Sequence, residues 1–123
     1  MGKIKFRAWD AYNKKIIDLD DLESISMRRT AGRDDDFANF ELMQFTGLKD
    51  KNGKEIYEGD ILGGTPNMHK MEVIMGKYGW NVKFIDLGHK YTEPLRNDLF
   101  ENFDVEVIGN IYENKELLSE RKI

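Results

Sequence analysis

"KDKNGKEIYEGDI" spans Lys49–Ile61, and two readings of it lead to different folds. A calcium loop would sit between helices; a tight turn would sit between strands. An EF-hand loop needs an acid at its first position, Gly at its sixth and a bidentate acid at its twelfth. Counting from Asp50 puts Glu55 sixth and Ile61 twelfth; setting Gly53 sixth puts Leu48 first. Both registers fail. The turn reading fits better. Asn52–Gly53 suits a two-residue type I′ hairpin turn, because both residues tolerate positive φ. Asp50 and Asn52 can hold neighbouring amides. Gly59 then predicts a second change of direction, with Asp60 accepting backbone N–H bonds. The residues singled out here, Asn52, Gly53, Gly59 and Asp60, are therefore expected to be structural.

The flanks agree with that choice. "KIKFRAWD" alternates, with Ile4, Phe6 and Ala8 on one face and Lys5, Arg7 and Trp9 on the other. Period two with aromatic content predicts a half-buried strand, apolar face inward. A turn at Asn13–Lys14 and a strand over Lys15–Asp18 complete a first hairpin. Further strands are predicted over Leu22–Met27, Phe40–Phe45 and Glu58–Gly63. "HKMEVIMGKYGWNVKFIDL" makes a hairpin with Met71, Val73 and Met75 facing Trp80, Val82 and Phe84, and the segment from Val105 to Ile111 alternates again. Leu95, Leu99 and Phe103 suggest one helical turn after Pro94. Asn114 fits an N-cap for a helix over Lys115–Arg121. No internal repeat is evident. The expected fold is mainly β (a β-rich α+β chain), with barrel-like antiparallel strands and a short C-terminal helix. A single domain is expected over residues 1–123. It is divisible into an N-terminal hairpin subdomain (residues 1–46), a barrel-like region (residues 47–113) and the helix (residues 114–121).

Composition narrows the function classes. The 123 residues suit one domain, and the chain contains no cysteine. Disulfide frameworks, thiolate metal sites and cysteine nucleophiles are excluded. No apolar run reaches the ~18 residues of a membrane span, and the N-terminus lacks a signal-peptide core. A cytoplasmic location, with no membrane partner, is expected. The formal charge of −4 disfavours non-specific nucleic-acid binding.

No catalytic constellation, cofactor motif or metal site emerges from the spacing. The acid clusters Asp18, Asp20, Asp21, Glu23 and Asp34–Asp36 read as solvated faces or loops. His69 and His89 have no carboxylate at a ligand spacing. "GGT" lacks the Gly-Lys-Ser/Thr of a phosphate loop. Segment 28–39 reads as a loop, and its Arg28, Arg29 and Arg33 are offset by Asp34–Asp36. The aromatics Trp9, Tyr12, Tyr57, Tyr78, Trp80 and Tyr91 read chiefly as core or cross-strand pairs. Any exposed ones could pack a partner or stack on bases.

Three stretches carry a resemblance: "IKFRAWD" (Ile4–Asp10), "LMQFTGLKDKNGKEIYEGDI" (Leu42–Ile61) and "EVIGNIYENKELL" (Glu106–Leu118). Together they resemble the YopX family of small proteins encoded by temperate phages and prophages. Phe45 stands where that family often has Tyr, and Lys115 where it often has Pro. The resemblance implies a mostly β, barrel-like fold. It implies no established activity, cofactor or catalytic residue, so no functional residue carries over. The expected function is a non-enzymatic phage accessory protein that binds another protein or self-associates. The alternative is a small-barrel nucleic-acid binder, with its patch at Lys3, Lys5, Arg7, Lys14 and Lys15 in the first hairpin.

Overall fold

Alternating stretches of the sequence become strands, and Asp, Asn and Gly mark the corners between them. The structure, a computed structural model, describes residues 4–19, 40–64, 69–88, 90–96 and 105–119. Among these run β1 (Phe6–Asp10), β2 (Lys15–Leu19), β3 (Phe40–Lys49), β4 (Glu55–Tyr57), β5 (Asp60–Gly63), β6 (Met71–Gly76), β7 (Gly79–Phe84), β8 (Thr92–Pro94) and β9 (Glu106–Asn110). Short 3-10 turns cover Ile85–Leu87 and Lys115–Leu118.

The strands form two antiparallel sheets, ordered β2-β1-β3-β4 and β8-β7-β6-β5-β9. The chain crosses between them at Tyr57–Asp60. Glu58 N still donates to Gln44 O of β3, whereas Gly59 N donates to Val73 O of β6 and Gly59 O accepts from Ile111 N. Gly59 makes the corner at φ 88, a left-handed conformation that side-chain-bearing residues rarely adopt. A Cβ there would also meet Met43 Sδ at 3.3 Å. The result is a half-barrel, in which the sheets share this corner without closing on each other.

The main apolar core belongs to the second sheet. Leu62, Met71, Val73, Val82, Leu95 and Val105 pack with Ile56 of β4, and Leu48, Trp80, Phe84 and Val107 lie against them. Burying each aliphatic side chain of this size contributes about 1.5–3 kcal/mol. The β6–β7 hairpin supplies its centre, in register from Met71↔Phe84 to Gly76↔Gly79.

Several expectations need correction. No α-helix occurs among the described residues, so the C-terminal helix is replaced by one 3-10 turn. The Asn114 side chain turns backwards to accept from Asn110 N at 3.1 Å and caps nothing ahead of it. Leu117 N and Ser119 N then bond three residues back, to Asn114 O and Glu116 O. A helix this short has too few hydrogen bonds to repay its nucleation. The strand predicted over Glu58–Gly63 is β5 alone, because the Gly59 corner removes its start. β8 is a strand that the sequence pattern does not show. On β1 both faces are buried: Ala8 is 2% exposed as expected, but Arg7 on the other face is also only 7% exposed, while Ile4, ahead of the strand, is 75% exposed. The strand predicted over Leu22–Met27 and most of the turn after Pro94 lie outside the described residues. No helix among the described residues is long and apolar enough to cross a membrane.

Candidate functional site

The opening stretch is held together by its own backbone. Gly53 N donates to Asp50 O, and Asp50 N donates to Lys54 O. Gly53 has φ 83, but Asn52 is not at positive φ. The turn is thus a type I turn over Asp50–Gly53 followed by a glycine bulge, not the two-residue type I′ turn expected. Asp50 decides the difference. Its Oδ1 accepts from Asn52 N at 2.8 Å and Lys54 N at 2.9 Å, and its Oδ2 accepts from Val107 N at 2.8 Å. Burial pushes the carboxyl upward, but these three amides outweigh it and hold its pKa below the usual value. With both oxygens engaged, Asp50 acts as a clasp between the β3–β4 turn and β9. Together with Asn114, it also caps outward-facing amides of β9, which guards that edge against a further strand. At the far edge, Pro94 does the same for β8.

Asp60 and Arg7 form a buried ion pair, 1% and 8% exposed at the side chain. Asp60 Oδ2 also accepts from Tyr57 N at 2.7 Å. The Arg7 guanidinium lies 4.6 Å from the Tyr57 ring centroid and donates towards Met43 Sδ. Burial raises the Asp60 pKa, against the opposing pull of Arg7 and the Tyr57 amide. Arg7 Nε is buried with no hydrogen-bond partner. Nearby, burial and the adjacent Glu55 push the Tyr57 hydroxyl up to about 12. The pair lines a polar cleft of about 420 Å³, along with Lys54, Asn110, Glu113 and Asn114.

The lysine and arginine patch expected in the first hairpin does not assemble. Arg7 is buried on Asp60, and Lys5 pairs with Glu55 at 2.7 Å. Lys14 and Lys15 stay exposed at the hairpin end, and Lys3 lies outside the described residues. A different grouping forms instead. Trp9 stacks on Tyr112, with centroids 5.7 Å apart and planes at 12°. The two rings line a pocket of about 570 Å³ with Ala11, Lys14, Glu113 and Lys115.

Two turns of the same build bring this grouping together. Asp10 Oδ1 accepts from Tyr12 N and Asn13 N, and Asn110 Oδ1 accepts from Tyr112 N and Glu113 N. In each, the fifth residue donates back to the first: Lys14 N to Asp10 O and Asn114 N to Asn110 O. Sequence reasoning does not single out Tyr112 and Lys115 as site residues. The signal that finds them is the recurring pattern of Asp or Asn with Tyr two residues later, in "DAYNK" and "NIYEN".

His69 Nδ1 lies 3.6 Å from Asp86 Oδ2 at a half-exposed position. His89 and the clusters Asp20–Glu23, Arg28–Arg33 and Asp34–Asp36 lie outside the described residues. Among the described residues no group of three His, Asp or Glu side chains could hold a metal ion.

A sequence model of the family described as YopX protein matches residues 5–119. The chain is also similar to a solved structure, protein EF1440 from Enterococcus faecalis, at 31% sequence identity. That match covers 97% of this chain and 100% of the other, with a TM-score of 0.69. No curated protein matches.

Proposed function

The chain belongs to the YopX family, and on that premise we propose that it is a phage or prophage accessory protein of the host bacterial cytoplasm. It works without catalysis, by binding a protein partner or further copies of itself. One observation carries the reading: the inner face of the β6–β7 hairpin runs out of the core into solvent. Val73 and Val82 are buried, and the next pair on that face, Met75 and Trp80, ends beside a Tyr78 that is 92% exposed. Lys77 Nζ lies 5.5 Å from the centroid of the Tyr78 ring. Tyr, Trp and Met are enriched where proteins bind one another, and a paired hairpin presents them at small entropic cost. Because the β8 and β9 edges are blocked, contact through side chains is favoured over strand addition.

The test pairs solution mass with affinity capture from infected cells, comparing the native chain with Tyr78→Ala and Met75→Glu. Both side chains are exposed, so melting midpoints should stay within about 0.5 kcal/mol of the native protein. Assembly or capture should weaken in both variants. A sharp monomer with the same captured set in all three proteins would refute the reading.

A further inference from the structure

We propose that the pocket beside the Trp9–Tyr112 stack binds single-stranded nucleic acid, a function separate from the protein contact above and carried by different residues. Three observations meet there. First, two aromatic rings, one on β1 and one in the turn after β9, are held nearly parallel at the mouth of an open pocket of about 570 Å³. Each residue is half-buried, so ring surface remains for a third flat partner. Bases stack on such faces whatever their sequence, at about 1–3 kcal/mol per base. Second, Lys14 and Lys115 line the pocket from opposite turns, and neither has an ion-pair partner among the described residues. Glu113 also lines it, with Oε1 accepting from the Asn110 amide at 2.9 Å, so the lining sets one carboxylate against two ammonium groups. Third, Lys14 sits at φ 56, the sole non-glycine residue at positive φ among those described. Glycine would suit that backbone better, so the turn presents Lys14 at a local backbone cost.

An acidic peptide would satisfy the lysines but make no use of the ring surface left open beside them. A base with its phosphate uses both. Glu41, Glu58 and Glu72 act on the Tyr112 hydroxyl, and Glu41 is paired across from Trp9, so the lysines attract phosphate against nearby negative charge. Binding should therefore be weak and strongly salt-dependent.

The experiment uses the full chain and a labelled oligothymidylate of about twelve nucleotides, within the usual site size for such platforms. Anisotropy reads binding; Trp9 emission, isolated in a Trp80→Phe background, reads stacking. Quenching at low salt is expected, with log K falling on log salt at a slope of about −1.4, or 0.7 per lysine contact. Lys14→Gly should keep or raise the melting midpoint and halve that slope. Lys115→Glu, at an exposed position, should weaken binding at least as much. Absence of binding at low salt would overturn the proposal, as would unchanged binding in both lysine variants. Equal competition by a poly-glutamate peptide would overturn it too, by showing that charge alone is recognised.

Discussion

The two sheets are stabilised by different physics. The second is organised around an aliphatic core, Leu62, Met71, Val73, Val82 and Val105, each at 2% exposure or less. The first sheet adds Ile56 and Leu48 to that core, and its β1 meets the second sheet through polar and aromatic contacts: Arg7 on Asp60 and Trp9 on Tyr112. An aliphatic core tolerates a range of shapes. A buried ion pair demands one geometry and leaves a costly orphan when either partner is lost. The aliphatic core thus supplies most of the driving force, and the seat of β1 on the second sheet is specified by a few named atoms.

That contrast can be broken from either side. The largest effect is expected at Asp60→Ala, which strands a buried guanidinium at about 3–5 kcal/mol. Hydrogen exchange should then show Phe6–Asp10 losing protection before Met71–Gly76. Loss in the reverse order would reverse the contrast. Leu62→Ala should follow, at about 2–5 kcal/mol, with one cooperative transition for both sheets. A transition confined to the second sheet would show that the first folds independently.

Smaller perturbations sharpen the picture. Gly53→Val should lower stability by more than about 1 kcal/mol in urea unfolding, since a β-branched residue resists φ 83. An unchanged midpoint would contradict the turn geometry. Acid should act through the turns. Asp10 is buried, yet hydrogen bonds from Asn13 and Tyr12 lower its pKa; amides lower that of Asp50; Lys5 lowers that of Glu55. Their folded values lie below the ordinary 3.8 for Asp and 4.5 for Glu, so their stabilisation is complete above those values. It is lost as pH falls through the folded values. Asp60 has the opposite sign, because its raised value makes the native state take up a proton first. The urea midpoint should fall as pH drops below about 4.5, and less steeply in Asp50→Asn.

Much of the strand framework is legible in the sequence, because period two marks β1, β3, β6, β7 and β9 directly. The burial of β1's second, polar face is not. Arg7 and Trp9 have long apolar bodies with polar ends, so their burial leaves no hydrophobic signature. Arg7's partner Asp60 lies 53 residues further along the chain. The Asn52–Gly53 dipeptide misleads about the turn type because Asp50, two residues earlier, captures the amides. β8 has three residues and ends in proline, which is too little for alternation to register. As for the candidate site, the lysines at 14 and 15 are visible in sequence. Their juxtaposition with Tyr112 and Lys115 depends on a tertiary contact between two turns of like build.

A double-mutant cycle at Arg7→Met and Asp60→Leu tests most directly whether the ion pair seats the first sheet. Each single variant should lose about 3–5 kcal/mol, while the double variant should recover most of that loss by replacing the pair with apolar contact. Additive losses, or single variants within about 0.5 kcal/mol of the native chain, would contradict the account.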